Sequence, residues 1–168
     1  MRALANFLGY QIVWFIAVIG AGRGLAWPAL AALAVFAAWQ LALSHAPRAD
    51  LKLLSLALML GAVLDGALSL GGLLHYAAPS PAAPPGGAPL WILALWGAFA
   101  LTLNHSLAWL RKRRLTATLL GAAGGPLAYL AAARVSQAVS FSSPPTEAIA
   151  ALAVGWGVAL FILVSVSA

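Results

Sequence analysis

LKLLSLALMLGAVLDGALSLGGLLHY, residues 51–76, is an almost unbroken apolar run with a single acid, Asp65, inside it. At 1.5 Å per residue, about 20 such residues cross a hydrocarbon core about 30 Å thick. The run is long enough to cross as one helix. Its side chains show none of the period-two alternation of a barrel strand. In oil a spanning segment must satisfy its own backbone hydrogen bonds, and a helix does so within itself.

The rest of the chain repeats this pattern. Of 168 residues, 64% are hydrophobic and 7% charged, with a mean hydropathy of +0.99. A soluble domain carries about 25% charged residues. So few charges cannot clothe a water-facing surface, and lipid must solvate most side chains. Cutting at glycines, prolines and charge clusters predicts six helices, at about 4–21, 27–43, 51–76, 90–110, 115–135 and 148–167. They make one integral membrane domain over residues 1–168. Pro28 falls in a first helical turn, where proline costs no hydrogen bond. Residues 44–50, with His45, Pro47 and Arg48, read as a polar loop. Residues 77–89 hold five prolines and belong outside the hydrocarbon. Residues 136–147, with Pro144 and Pro145, form the last loop. The expected fold is all-α, a polytopic transmembrane helix bundle.

Charge sets the expected orientation. The net charge is +6, from 9 Lys+Arg against 3 Asp+Glu. These basic residues sit at helix ends, which speaks for topology and against nucleic-acid binding. With the N-terminus in the cytoplasm, the inner loops collect Arg2, Arg48, Lys52 and the RKRR run at 111–114, while Arg23 and Arg134 face out. That bias predicts both termini in the cytoplasm, an external proline-rich loop, and a multi-pass membrane protein. The first helix is expected to be retained, because Asn6, Tyr10 and Gln11 interrupt it and no small-x-small cleavage pattern precedes Arg23. Trp14, Trp27, Trp91, Trp109 and Trp156 are candidate interface anchors. Cysteine is absent, which excludes disulfides and thiolate chemistry.

An ionisable group in hydrocarbon marks a functional candidate. Asp65 shares one face with Gly61, Ser69 and Gly72, where small residues admit another helix. Its reading is a proton or cation site, a catalytic acid, or a structural acid satisfied by a neighbouring Arg, Tyr or Trp. Asn104 and His105 fall on a stripe with Gly97, Leu101 and Ala108, in the cytoplasmic third of the fourth helix. By helical rise, His105 and Asp65 differ in depth by about 11 Å, which disfavours a direct dyad. Two polar layers result. Asp65 lies within reach of Arg134, and His105 shares a level with Gln11, Gln40 and Asn6. In the fifth helix, Gly121 and Gly125 form a small-xxx-small pair, Pro126 removes a helical hydrogen bond, and Tyr129 points into the same interior. Gly61, Gly121, Gly125 and Pro126 are read as packing residues. No nucleotide, hydrolase or metal motif is present, and three histidines on separate segments suggest no metal site and no cofactor.

Several strings carry a resemblance. NFLGYQIVWF at 6–15, the Leu90-Trp91 and Leu95-Trp96 pairs, TLNHSLAWL at 102–110 and GAAGGPLAY at 121–129 resemble a family of small bacterial membrane proteins, domain of unknown function 2878. Asp65 also matches an acid of that family's third helix. The resemblance covers nearly the whole chain. It implies a bacterial inner-membrane protein without an assigned activity, with relatives encoded beside lipid-modifying enzymes, and it transfers no catalytic residue. The function expected is lipid-linked, a membrane-embedded lipid modification or lipid binding. The alternatives are a small ion-coupled carrier using Asp65 and a non-catalytic partner of another membrane enzyme. Expected partners are membrane lipids, with either a membrane enzyme or a second copy of the chain, and no nucleic acid.

Overall fold

Backbone amides with no water to bond must bond each other, and long apolar runs do this as helices. The computed structural model, which describes residues 2–167, contains α1 (Arg2–Gly22), α2 (Trp27–Leu43), α3 (Pro47–Leu70), α4 (Leu90–Leu103), α5 (Arg114–Ser136) and α6 (Thr146–Val166). Among the described residues, α1, α3, α5 and α6 are long and apolar enough to cross a membrane, and α2 and α4 are shorter apolar helices. Val35, Met59, Val63, Leu115 and Val154 are each more than half exposed on the outer surface. Large apolar side chains spread over a surface in this way have lipid as their natural solvent. The chain is a helical membrane protein.

The short helix α4 is the axis of the bundle. It contacts α1, α2, α3 and α6, and Trp91, Trp96, Leu101 and Leu103 on it are almost fully buried. Its 14 residues rise about 21 Å, less than the hydrocarbon thickness. Other helices shield it, so its ends meet protein groups and not lipid. The Asn6 side-chain amide donates to the Leu101 carbonyl at 3.1 Å, and the backbone N–H groups of His105 and Leu107 donate to that of Thr102. The chain leaves α4 through a turn and a short 3-10 helix at Ala108–Leu110.

Packing elsewhere depends on glycine. A side chain at Gly121 or Gly125 would run into Trp156 of α6, and one at Gly61 would start 2.5 Å from the Trp96 ring. α5 therefore lies directly against α6, continuing as one helix through the buried Pro126. Beyond α3 the chain turns back over the bundle. β1 (Leu74–Tyr76) pairs antiparallel with β4 (Val139–Phe141), with Tyr76 opposite Val139. β2 (Ala82–Ala83) pairs with β3 (Ala88–Pro89) inside the proline-rich loop. That loop is a packed cap. Ala78 and Ala88 are buried, and the Trp91 indole donates to the Ala78 carbonyl at 3.1 Å.

Several expected boundaries move. The third helix is shifted toward the N-terminus relative to 51–76. Pro47 starts it at the first helical position, where its fixed φ suits a helix, and Gly71-Gly72 ends it, with Gly72 at φ +68°. Asp50 therefore leaves the supposed polar loop for the first turn of α3. Asp65 sits in the last two turns of α3, near its end. The fourth helix stops at Leu103, short of 110, so Asn104 and His105 occupy a turn and not a helical stripe. Of the candidate tryptophan anchors, only Trp27 and Trp109 are exposed. Trp91 is buried, and Trp156 stacks on Trp96 with ring centres 4.0 Å apart.

Candidate functional sites at the two ends of the third helix

Asp65 is fully buried, and three neutral donors surround it. The Trp96 indole N–H donates to its Oδ2 at 2.7 Å, the Tyr76 hydroxyl to Oδ1 at 2.7 Å, and the Tyr129 hydroxyl to the same Oδ1. Each donor comes from a different element. Gly61, one turn before Asp65, makes room for the Trp96 ring. The β1–β4 pairing holds Tyr76 over the end of α3. The close α5–α6 contact positions Tyr129. Three donors replace the water a carboxylate would otherwise need in an apolar interior.

Asp50, at the opposite end of α3, is 1% exposed and also takes three side-chain contacts. The Ser44 hydroxyl donates to Oδ2 at 2.5 Å and the Asn104 amide to Oδ1 at 2.8 Å, while His105 Nε2 lies 3.1 Å from Oδ2. Nε2 facing a carboxylate assigns the ring proton to that nitrogen and leaves Nδ1 for other partners. Beside this cluster, the Asn6 amide donates to Gln40 Oε1 at 2.8 Å and its Oδ1 accepts from the Ser106 hydroxyl at 2.6 Å. Arg111 donates to the Asn104 carbonyl at 3.1 Å, with its Nε buried and unbonded. The turn after α4 is thus tied to α1, α2 and α3 together.

Two cavities adjoin these clusters. One, of about 280 Å³, lies between α1, α4, α5 and α6, with Tyr10, Trp14, Trp96, Phe99, Tyr129 and Trp156 in its wall. It reaches the outer surface at Leu120 and Gly124, both exposed. Its wall is mostly apolar and aromatic. The Trp156 indole nitrogen is buried with no hydrogen-bond partner among the described residues. The other, of about 430 Å³, opens at the basic end of the bundle and is lined by Arg2, Trp39, Gln40, Leu43 and His105 with two alanines.

The predicted residues divide between these places. Asp65 and Tyr129 meet directly. Asn104 and His105 meet on Asp50, which lies in the first turn of α3 and not in the expected polar loop. Asn6 and Gln40 join that end. Gln11 is half-buried and belongs to neither cluster, and Arg134 is exposed and does not reach Asp65, whose oxygens the two tyrosines and Trp96 occupy. Sequence reasoning also missed Tyr76, Trp96 and Ser44. One signal pointed to Asp50. The proline rule that starts a helix at Pro28 applies equally at Pro47, and an acid in the following turn suits the positive end of a helix dipole. Among the described residues, no group of three or more His, Asp or Glu side chains gathers as a metal site.

Comparison with known proteins gives one match. The family model described as protein of unknown function, DUF2878, matches residues 3–162. No curated protein and no solved structure matches the chain.

Proposed function

Because the chain belongs to the DUF2878 family, which brings no assigned activity with it, we propose from the geometry that it binds a membrane lipid, taking an acyl chain into the aromatic cavity between α1, α4, α5 and α6. The observation that carries this reading is the cavity's position. Its opening, at Leu120 and Gly124, lies on a surface solvated by lipid, and its wall is apolar and aromatic. Ligand pockets of this kind fix orientation with a few polar groups. Here Tyr129, which Asp65 holds in place, is a polar side chain in the wall. The charge bias then puts the end carrying Arg2, Arg48, Lys52 and residues 111–114 in the cytoplasm, and the cavity within the bilayer.

Gly124 supplies the test. It lines the cavity, yet a side chain there would meet nothing within 4 Å, whereas one at the adjacent Gly125 collides with Trp156. Gly124→Leu should fill the cavity and leave the helix packing intact. Native mass spectrometry of delipidated protein, titrated with a phospholipid, should report at least tenfold weaker lipid retention for Gly124→Leu at an unchanged melting temperature. Equal retention by the variant and the parent would remove this reading.

A further inference from the structure

The pocket at the basic end carries a second site, independent of the aromatic cavity. Among the described residues its lining holds one permanent cation, Arg2, one imidazole, His105, one buried amide, Gln40, and no acid. Asp50, which His105 contacts, is turned into its own donors, with Ser44 and Asn104 on its two oxygens and His105 Nε2 on Oδ2. Its contact with Nε2 orients the ring, so Nδ1 is the nitrogen left to meet a ligand, accepting from a phosphate P–OH when the ring is neutral and donating to an oxyanion when the ring carries both protons. Arg2 also lies 3.4 Å from His45 Nε2, a weak and exposed contact that an incoming anion can replace. Trp39 and Leu43 form an apolar side wall. A cation and an imidazole above apolar side chains match a charged oxyanion at the boundary between water and hydrocarbon.

We infer that this pocket binds a phosphate oxyanion, with Arg2 gripping its oxygens and His105, oriented by Asp50, as the second contact. A guanidinium fork fits a tetrahedral oxyanion through paired hydrogen bonds, which is why arginine at a phosphate site is not interchangeable with a neutral residue. The phosphate belongs either to a lipid head group or to a free phosphate compound, and the same atoms would recognise both.

The chain has three histidines, so 15N-histidine labelling yields three side chains to follow. His75 lies on β1, at the opposite end of the bundle from the pocket, and serves as the internal control. The full-length protein in zwitterionic nanodiscs is titrated with inorganic phosphate in one arm and short-chain phosphatidic acid in the other. Saturable movement of the His105 ring resonances, with His75 still, is the expected result. A response to phosphatidic acid alone identifies a lipid head group, and a response to both identifies phosphate from either source. Arg2→Gln should weaken binding at least tenfold. Arg113→Gln, which removes an exposed arginine outside the pocket, should change it less than twofold. A His105 signal unmoved by either compound, or equal losses from the two arginine variants, overturns the inference. The second outcome would mean diffuse attraction to a basic surface. Neither result bears on lipid retention in the aromatic cavity, which Gly124→Leu reads separately.

Discussion

Asp50 and Asp65 stand fifteen positions apart on α3, about 22 Å along its axis at 1.5 Å per residue, and both are buried with three side-chain partners. Their surroundings differ in kind. Around Asp65 the partners are two tyrosines and a tryptophan, bulky and neutral, and buried or locked by ring packing. Around Asp50 they are a serine, an asparagine and a histidine, each half-buried, beside a pocket that opens at the basic end. The first acid joins three elements deep inside apolar packing. The second holds an imidazole where ligand and solvent can meet it. Burial of a carboxylate therefore does not by itself mark a reactive site. What separates the two is the company each keeps, phenols and an indole beside an apolar cavity for Asp65, an imidazole beside a polar pocket for Asp50.

The largest effect should come from breaking the sealed cluster. Asp65→Ala leaves three buried donors without an acceptor. At roughly 0.6–1.7 kcal/mol for each hydrogen bond between membrane helices, unfolding in mixed micelles should become easier by about 2–5 kcal/mol. Asp50→Ala should cost less, about 1–2 kcal/mol in the same assay, because Ser44, Asn104 and His105 can turn to water. Equal losses at both positions would erase the contrast drawn above. The smallest effect sharpens it. Tyr76→Phe removes one of three donors and should cost about 0.6–1.7 kcal/mol. The same substitution should leave the 15N resonances of His105 unmoved, and a shift there would mean that the two clusters communicate along α3.

Much of this arrangement was legible before any coordinates. Glycine, proline and charge clusters divide the chain into the six helices that form. The helical rise separates His105 from Asp65, and the structure keeps them apart. The partners were less legible. For Asp65 the sequence offers a neighbouring Arg, Tyr or Trp, with Arg134 singled out by depth; the aromatics hold it, because Gly71-Gly72 reverses the chain so that β1 carries Tyr76 back over the helix end, while α4 and α5 bring Trp96 and Tyr129. His105 looked like part of a helical stripe because nothing in TLNHSLAWL is a strong helix breaker. The helix stops at Leu103, where Asn6 donates to the Leu101 carbonyl and the residues that follow bond elsewhere, Asn104 to Asp50 and Ser106 to Asn6.

Residues alone determined the solvent. A chain this poor in charge must live in oil, and in oil the backbone must be helical between its breaks. Tertiary structure alone decided which face of each helix meets which neighbour. In a soluble helix the apolar stripe announces the inward side, but here lipid and bundle interior are equally apolar, so most side chains carry no directional signal. Only the few polar groups and the glycines that admit Trp96 and Trp156 distinguish inside from outside, and their pairing depends on contacts between distant segments of the chain.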